Sequence, residues 1–322
     1  MSEDFSSSSD FTPERASVPE ASVPESSGNK LLKTLGLSAL FIFLLVIFTL
    51  LKLPETRVTG LMQGQLQAQL DQYGIYISDR GRELSLWSGF RYKLDHPTLE
   101  FADQTRVELD SLTVSPKFTS MIQGKMGINA EVRQGPAIIN FDGTGRGDIV
   151  DAKIDLNQVD IGRFGLLSYA AGLKGSGTVS GNIQVAGTLS DPTTLNGMID
   201  LKLRAFKLDE QSLMGFQIPS MNISEGTIKL DIAAGKLLIK TFQLGKGVDD
   251  LVLNLSGDIV LNRYVNASQL NLKAVFALSD KVRQNLAILE SIISGAKTSD
   301  GRYAYKISGT LAAPNPVPDA AK

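Results

Sequence analysis

A long apolar run near the N-terminus limits the folds open to this chain more than any other feature. Residues 35–51 contain no charged side chain, and thirteen of these seventeen residues are Leu, Ile, Val or Phe. With its flanks the run covers residues 31–53, long enough at about 1.5 Å per helical residue to cross a hydrocarbon core of about 30 Å. It is apolar on every side, as expected of a helix surrounded by lipid. We therefore predict one transmembrane helix over residues 31–53.

Two other interpretations of this run are a buried core helix and the apolar part of a signal peptide. A signal peptide requires a cleavage site with small residues soon after the run. The segment LKLPETR at residues 51–57 contains no such site, so we expect an uncleaved anchor. Its orientation is not set by charge, because Lys30 and Lys33 before the run balance Lys52 and Arg57 after it.

Residues 1–30 are predicted to be a disordered tail. They contain four consecutive serines, a tandem ASVPE repeat over residues 16–25, and six acidic residues against two basic ones. A segment so poor in apolar side chains buries too little surface to offset the entropy lost on ordering. A docking peptide for a cytoplasmic partner is the alternative to a solvated tail.

The composition argues against catalysis. The chain has no cysteine, which excludes disulfides and thiol chemistry, and its single histidine argues against a serine–histidine–aspartate triad or a multi-histidine zinc site. That histidine, His96, lies in an Asp-His-Pro run typical of a turn. The acidic pair Asp249 and Asp250 is interpreted as solvated loop residues close to Gly247. We expect a protein that is not an enzyme, with no catalytic residue, no metal and no cofactor.

Period-two alternation dominates the chain after a helix predicted over residues 54–73. Strands are predicted at residues 75–77, 106–114, 137–141 and 147–156, and more clearly in the second half. There Ile199, Leu201 and Leu203 alternate with polar residues, so that each strand has one apolar and one polar face. Frequent turn signals between the strands favour consecutive antiparallel pairing.

Two apolar stripes form the candidate functional surface. The first contains Leu251, Leu253 and Leu255, and the second contains Leu270, Leu272, Ala274, Phe276 and Leu278. A continuous apolar face of this kind can line a lipid groove, or it can belong to an ordinary sealed core. The alternation alone does not separate these two structures.

One helix is predicted to interrupt the strands near the C-terminus. Ser279 is its candidate N-cap and Gly295 its candidate stop. Its apolar stripe contains Val282, Leu286, Leu289 and Ile293. Residues 314–322, in which every second position from Pro314 to Pro318 is proline, are predicted to be a flexible, extended tail.

An internal echo links two parts of the chain. Residues 185–192 (VAGTLSDP) are matched by residues 307–314 (ISGTLAAP), and in each case a strand is expected to end at a glycine-permitted turn followed by proline. The turn residues are Gly187 and Pro192 in the first copy and Gly309 and Pro314 in the second. A phosphate-binding glycine loop is the alternative, but no helix is predicted to open after the glycines, so we expect no nucleotide. A net charge of −2 without a basic patch gives no basis for nucleic-acid binding.

The order of these features resembles the AsmA-like membrane-anchored proteins and, within them, the type II secretion system protein N (GspN) family. The similar segments are residues 84–101, 175–192, 214–219 (MGFQIP) and 300–314. The resemblance implies a single-pass protein of the Gram-negative inner membrane with a cytoplasmic N-terminus. It also implies that residues 54–313 form a periplasmic β-rich domain.

The fold implied by the resemblance is mainly β. A long curved antiparallel sheet, an AsmA-like open groove or half-barrel with a few amphipathic helices, would follow the transmembrane helix. The function implied is that of a non-enzymatic accessory component of type II secretion, whose partners are other secretion components of the inner membrane or periplasm. The AsmA-like relatives imply an alternative, in which the protein binds phospholipid and transfers it between the inner and outer membranes.

Overall fold

The computed structural model describes residues 64, 67, 71, 75–85, 90–101, 106–165, 167, 172–213, 216–285 and 293–319. All of them belong to one compact unit, Val58–Lys322. The predicted tail (residues 1–30) and the predicted transmembrane helix (residues 31–53) lie outside the described residues. Of the helix predicted over residues 54–73, the described positions Gly64, Gln67 and Asp71 are helical. Across the described ranges, no helix combines the length and the apolar character needed to cross a membrane.

The described residues form nineteen strands. In chain order they are β1 (Ile75–Ser78), β2 (Gly81–Ser85), β3 (Arg91–Asp95), β4 (Thr98–Phe101), β5 (Arg106–Glu108), β6 (Ser111–Pro116), β7 (Met126–Gln134), β8 (Ala137–Arg146), β9 (Ile149–Asp160), β10 (Gly175–Thr188), β11 (Asn196–Leu208), β12 (Gln211–Leu213), β13 (Phe216–Ile218), β14 (Met221–Ala233), β15 (Lys236–Leu244), β16 (Leu251–Val260), β17 (Gln269–Leu278), β18 (Tyr303–Gly309) and β19 (Pro314–Pro318).

Fourteen of these strands form one long sheet, in the order β2-β3-β6-β7-β8-β9-β10-β11-β14-β15-β16-β17-β18-β19. Successive strands are neighbours except where β4–β5 and β12–β13 leave the sheet. The strands β1, β4 and β5 form a separate three-stranded sheet, and β12 and β13 form a hairpin. All pairings are antiparallel, and the long sheet is open, with β2 and β19 as its edges. The prediction of a mainly β chain with a long antiparallel sheet is confirmed.

The alternation in the sequence sets the register of the sheet. On β11 and β14, Ile199 lies opposite Leu230 and Leu201 lies opposite Ile228. Between these pairs, Asp200 lies opposite Lys229 on the other face, with 2.9 Å between the carboxylate and the ammonium nitrogen. A slip of one residue would move every apolar side chain of a strand to the polar face, so the register is strongly specified.

Segments outside the long sheet cover part of its apolar face. Val282 is fully buried and belongs to a cluster with Leu208 of β11 and Met221 of β14. At the N-terminal strands, Ile77 of the small sheet packs with Tyr92 and Leu94 of β3. The sheet therefore has covered regions at its N-terminal strands and at the strand ends near Leu208.

Two α-helices have both ends within the described residues, α1 (Phe118–Ile122) and α2 (Asp280–Asn285), and short 3-10 turns lie at Pro192–Thr194, Val265–Ala267 and Ser294–Ala296. The hydroxyl of Ser279 accepts a hydrogen bond from the Val282 N–H at 3.4 Å, so Ser279 caps α2 as predicted. Leu286 and Leu289 of the predicted apolar stripe lie outside the described residues. Gly295 lies in the Ser294–Ala296 turn.

The strand predicted over residues 106–114 is in fact two strands, β5 and β6, which belong to different sheets. Between them the Leu109 N–H donates to the Pro97 carbonyl at 2.9 Å, and the Asp110 N–H donates to the Arg133 carbonyl at 2.8 Å. The chain thus changes partners at these two residues. The apolar positions change phase here, from Val107 and Leu109 to Leu112 and Val114, so the sequence marks the break that the predicted strand ran across.

The prediction of a flexible tail from residue 314 is wrong for Pro314–Pro318, which form the edge strand β19. Proline has no N–H to donate, so a sheet tolerates it only where that N–H would face away from the neighbouring strand. The prolines occupy alternate positions, and Asp319, in the other phase, donates its N–H to the Ala304 carbonyl at 2.9 Å. The alternate prolines therefore cost β19 no ladder hydrogen bond, and they block further strand pairing at this edge.

Candidate functional site

One row of directly opposed residues crosses all fourteen strands of the long sheet. In strand order from β2 to β19 the row contains Leu84, Tyr92, Val114, Ala130, Phe141, Ile154, Ile183, Ile199, Leu230, Ile239, Gly257, Leu272, Ile307 and Pro316. Directly opposite residues of antiparallel strands project to the same face. The row is therefore one continuous apolar band, and we call it the apolar row.

The neighbouring row projects to the other face and is polar. From β2 to β14 it contains Glu83, Lys93, Thr113, Glu131, Asn140, Asp155, Asn182, Asp200 and Lys229. An antiparallel sheet with one apolar and one polar face is expected to expose the polar face to water and to cover the apolar face. The question for function is what covers the apolar row.

The structure places the two predicted stripes side by side on the face of the apolar row. Leu251 lies opposite Leu278, Leu253 opposite Phe276, and Leu255 opposite Ala274. The remaining two, Leu270 and Leu272, lie opposite Ile259 and Gly257. All eight predicted residues therefore contribute to one apolar surface on β16 and β17.

In the middle of this surface lies a cluster whose described members all belong to the sheet. Its buried members are Ile239, Leu270 and Leu272, each 8% exposed. The partly buried residues packed against them lie on β14 to β18 and are Leu230, Leu237, Phe242, Leu255, Ile259 and Ile307. Gly257 lies between Ile239 and Leu272 in the apolar row and contributes no side chain. The side chains of Ile239 and Leu272 can therefore approach each other across Gly257.

A cavity of about 530 Å³ continues this surface to the C-terminal edge of the sheet. It is lined by Ala274, Phe276, Ile293, Tyr305, Ile307, Pro316 and Pro318. The ring of Phe276 stacks on Tyr303 with centroids 5.3 Å apart and on Tyr305 at 6.2 Å. None of the described residues that line it is charged, and burial raises the pKa of the Tyr305 hydroxyl. Such a cavity suits an apolar ligand.

Sequence reasoning placed Ala274 and Phe276 on this surface but did not include the residues of β18 and β19. Tyr303, Tyr305 and Ile307 alternate with the polar Lys306, and the prolines of β19 continue the same period of two. This signal was present, but the prolines favoured the interpretation as a tail.

The turn residues of the internal echo have different roles in its two copies. Gly187 has a φ of 147° within β10, and Pro192 opens a 3-10 turn that is capped by Asp191, whose carboxylate accepts from the Thr193 N–H at 3.2 Å. Gly309 ends β18 and lies opposite Pro314, so the second copy is a hairpin turn at the edge of the sheet. The echo thus marks strand ends and brings no set of reactive groups together.

Asp249 and Asp250 lie in a loop, as predicted, but their carboxylates are bound by neighbouring groups instead of by solvent alone. The Asp249 carboxylate accepts from the Ser224 hydroxyl at 2.7 Å and from the backbone N–H groups of Ser224 and Lys246. Asp250 accepts from the Asn222 N–H and from the Ser279 hydroxyl, both at 2.9 Å. The pair joins β14, the turn before β16 and the start of α2.

These bonds lower the pKa of both carboxyl groups. Burial acts to raise the pKa of Asp249, but the hydrogen bonds from Lys246 and Ser224 outweigh it. For Asp250 the Asn222 N–H is the largest cause, with a further contribution from the Ser279 hydroxyl. Because the pKa is lowered in the folded state, each ionised carboxylate stabilises the fold at pH values above its ordinary pKa of 3.8. This stabilisation is lost as the pH falls below 3.8 and the carboxylates become protonated.

We expect the double variant Asp249→Asn, Asp250→Asn to lose roughly 1–3 kcal/mol of stability at pH 7, because charge-assisted hydrogen bonds are replaced by weaker ones. Its stability should also fall less than that of the wild type on acidification below pH ~4. Thermal unfolding at neutral and acid pH measures both effects. Asp151→Asn is the matched control, because Asp151 is exposed and has no side-chain partner among the described residues. Equal acid sensitivity of the double variant and the wild type would contradict the prediction.

His96 lies in the turn between β3 and β4 and is exposed. Its φ of 46° is in the left-handed region, and its backbone N–H donates to the Asp110 carbonyl at 3.0 Å. Within the part of the chain that the structure describes, no three histidine, aspartate or glutamate residues are grouped as a metal site would require. The turn assignment therefore agrees with the predicted position of His96.

Comparison of the chain with protein-family models, with curated proteins and with solved structures gives no significant match.

Proposed function

We propose that this chain is a non-enzymatic, membrane-anchored protein that binds lipid acyl chains along the apolar row of its long sheet. The observation that carries the proposal is the cluster around Leu272, whose members among the described residues all lie on the sheet itself. In a sealed core, such a face would be covered by a second layer. The apolar cavity beside Phe276 and Tyr305 supports the proposal, because it offers space on the same face.

An acyl chain is the ligand that fits this surface best. The apolar row has no charged residue over fourteen strands, so it offers no partner for a polar or charged ligand, and burying apolar surface is its main source of affinity. The predicted anchor at residues 31–53 would keep the sheet beside a membrane that supplies such chains. In this proposal the sheet is an AsmA-like open groove on the periplasmic side of the inner membrane.

Photo-crosslinking in living cells tests the proposal. A photoreactive residue at position 307 would lie on the apolar face, and the same residue at position 306 would lie on the opposite face of the same strand. We expect phospholipid adducts at position 307 and only background at position 306. If position 307 crosslinks only within the chain, the face is a sealed core and the lipid proposal fails.

A second candidate is an accessory component of the type II secretion system, supported by the resemblance in residues 84–101, 175–192, 214–219 and 300–314. Partner proteins could pair with an edge of the sheet. The alternate prolines of β19 disfavour pairing there, which leaves β2 (Gly81–Ser85) as the candidate edge.

We expect a strain lacking this protein to retain exported enzymes in the periplasm if the second candidate is correct. The measurement is the distribution of a secreted enzyme between periplasm and medium, with complementation by the intact gene as the control. Unimpaired secretion would count against this candidate and would leave the lipid proposal untouched. A crosslink from β2 to a secretion component would support it and identify the partner.

A further inference from the structure

The helix α1 (Phe118–Ile122) carries its apolar side chains on the outside. Its buried residue is Ser120, which is 8% exposed. Phe118, Met121 and Ile122 are 55%, 56% and 88% exposed. A helix that packs on a sheet normally buries its large apolar side chains and exposes its polar ones. Three large apolar side chains that face outwards from one helix indicate that something apolar covers them.

Gly127 of β7 fixes this orientation of α1. A Cβ added at Gly127 would lie 2.7 Å from the Lys117 Cβ and 2.7 Å from the Ser120 hydroxyl oxygen, so the helix rests directly on the strand. Position 127 projects to the same face as Glu131, four residues further along β7. The helix therefore lies on the polar face of the long sheet, opposite the apolar row. Because only a small side chain fits between helix and strand, the large side chains point away from the sheet.

Three further apolar side chains are exposed at the same strand ends. Met126 begins β7, Ile149 begins β9, and Leu189 follows β10, with its N–H donating to the Asp148 carbonyl at 3.0 Å. Because neighbouring strands are about 4.8 Å apart, β7 to β10 span roughly 15 Å. We call the six residues, each more than half exposed, the end patch: Phe118, Met121, Ile122, Met126, Ile149 and Leu189. Exposed apolar patches of this kind are typical of protein-interaction and membrane-contact sites.

The shape of the end patch favours a lipid surface over a protein partner. Ile122 and Met126 are more than four-fifths exposed, so these side chains project from the molecule and do not line a groove. A protein partner would need a matching pocket for each projecting side chain. Lipid chains, by contrast, rearrange around side chains that enter the boundary between headgroups and acyl chains.

The charged residues beside the end patch are compatible with a bilayer surface. Lys125 precedes Met126, Arg146 lies opposite Ile149, and both cationic residues are exposed. Such long side chains can lie along apolar groups and still reach headgroup phosphates. The exposed Asp148 and Asp151 balance these two charges. Insertion of the apolar side chains, and not a net charge, would therefore supply the affinity.

We propose that the end patch inserts into the surface of a phospholipid bilayer and holds this end of the strands against it. The predicted anchor at residues 31–53 is separated from β1 by residues 54–74, which reach about 70 Å at most when fully extended. The described strands therefore stay close to a bilayer, and contact of the end patch with that bilayer is favoured by its high effective concentration. The inference shares only the predicted anchor with the proposed function.

Fluorescence quenching by lipids tests the contact in the full chain, which has no cysteine of its own and can be labelled at single introduced cysteines. Ile122→Cys and Val248→Cys each carry a nitrobenzoxadiazole label, and the chain is reconstituted in phosphatidylcholine vesicles with and without nitroxide-bearing lipids. Val248 is the matched control, because it is 95% exposed and lies in the β15–β16 turn at the opposite strand ends. We expect strong quenching at position 122 and only background at position 248.

The double variant Met121→Gln, Ile122→Gln tests whether the apolar side chains make the contact. With the label moved to Ile149→Cys, we expect the variant to lose most of the quenching, since each apolar side chain withdrawn from lipid weakens partitioning by roughly tenfold. Its thermal unfolding should match that of the parent, because both replaced side chains are exposed.

Flotation of the same vesicles reports the anchor separately. A chain that floats but is quenched equally at positions 122 and 248 overturns the bilayer contact and leaves the proposed function intact. A label at position 122 that is shielded from water yet unquenched by lipid also overturns it, because a protein then covers the end patch. Unchanged quenching at position 149 in the double variant has the same consequence. A chain that does not float lacks the anchor, which overturns this inference and the membrane-anchored function together.

Discussion

Replacing Tyr92 by alanine is expected to cost about 3–5 kcal/mol of stability, the range for removing a large buried ring. Tyr92 is 2% exposed and packs with Leu94 and with Ile77 of the small sheet. Its ring therefore holds the three-stranded sheet against the N-terminal strands of the long sheet. Equilibrium unfolding in urea, followed by far-ultraviolet circular dichroism, measures the loss.

Tyr92→Phe is the matched control for this change. The Tyr92 hydroxyl is buried and has no hydrogen-bond partner among the described residues, and burial raises its pKa. Removing the hydroxyl while keeping the ring should therefore be neutral or stabilising by up to about 1 kcal/mol. A large destabilisation by Tyr92→Phe would mean that the hydroxyl, and not the ring, makes the important contact.

We expect Gly257→Ala to destabilise the chain by roughly 2–4 kcal/mol, a large effect for the addition of one methyl group. Gly257 has a φ of 117°, a conformation that alanine rarely adopts. An added Cβ would overlap the carbonyl oxygen of Asn271 and lie 3.0 Å from the Leu272 Cα. Both atoms belong to the backbone of β17, so the contact is relieved only by separating β16 from β17 in the middle of the apolar row.

Gly247→Ala is the control for this glycine. Position 247 has no positive φ, and an added Cβ there would have no neighbour within 4 Å. Urea unfolding of both variants should therefore show a clear loss at position 257 and little change at position 247. A Gly257→Ala variant as stable as the wild type would show that β16 and β17 shift apart at little cost.

Much of the second half of the sheet was predictable because the signal there is local. Leu270 and Leu272 alternate with polar residues, and such an alternation requires a strand with one apolar face whatever the strand pairs with. The Ser279 cap of α2 is local too, since its acceptor and the Val282 N–H are three residues apart. Predictions of this kind need no knowledge of the rest of the chain.

Other parts of the structure depend on partners that are remote in the sequence. The residues at 106–114 change phase only once, at Asp110 and Ser111. They divide between two sheets because Leu109 and Asp110 bond to Pro97 and Arg133. Proline-rich β19 exists only because β18 offers carbonyl groups to its alternate N–H groups. The Asp249 and Asp250 carboxylates form hydrogen bonds because β14 and Ser279 lie beside them.

The candidate sites divide in the same way. Leu253 and Phe276 were each recognisable as apolar strand residues, but only the register places them opposite each other and extends the row across fourteen strands.

The sequence by itself determined that the chain forms amphipathic antiparallel strands, because alternation is a property of each strand and its own two faces. It also determined where the strongest apolar stripes lie. Only the tertiary structure decided that the sheet is open and that its register joins apolar residues of fourteen strands into one row. The physical reason is that these features arise from contacts between residues far apart in the chain, which local pattern does not encode.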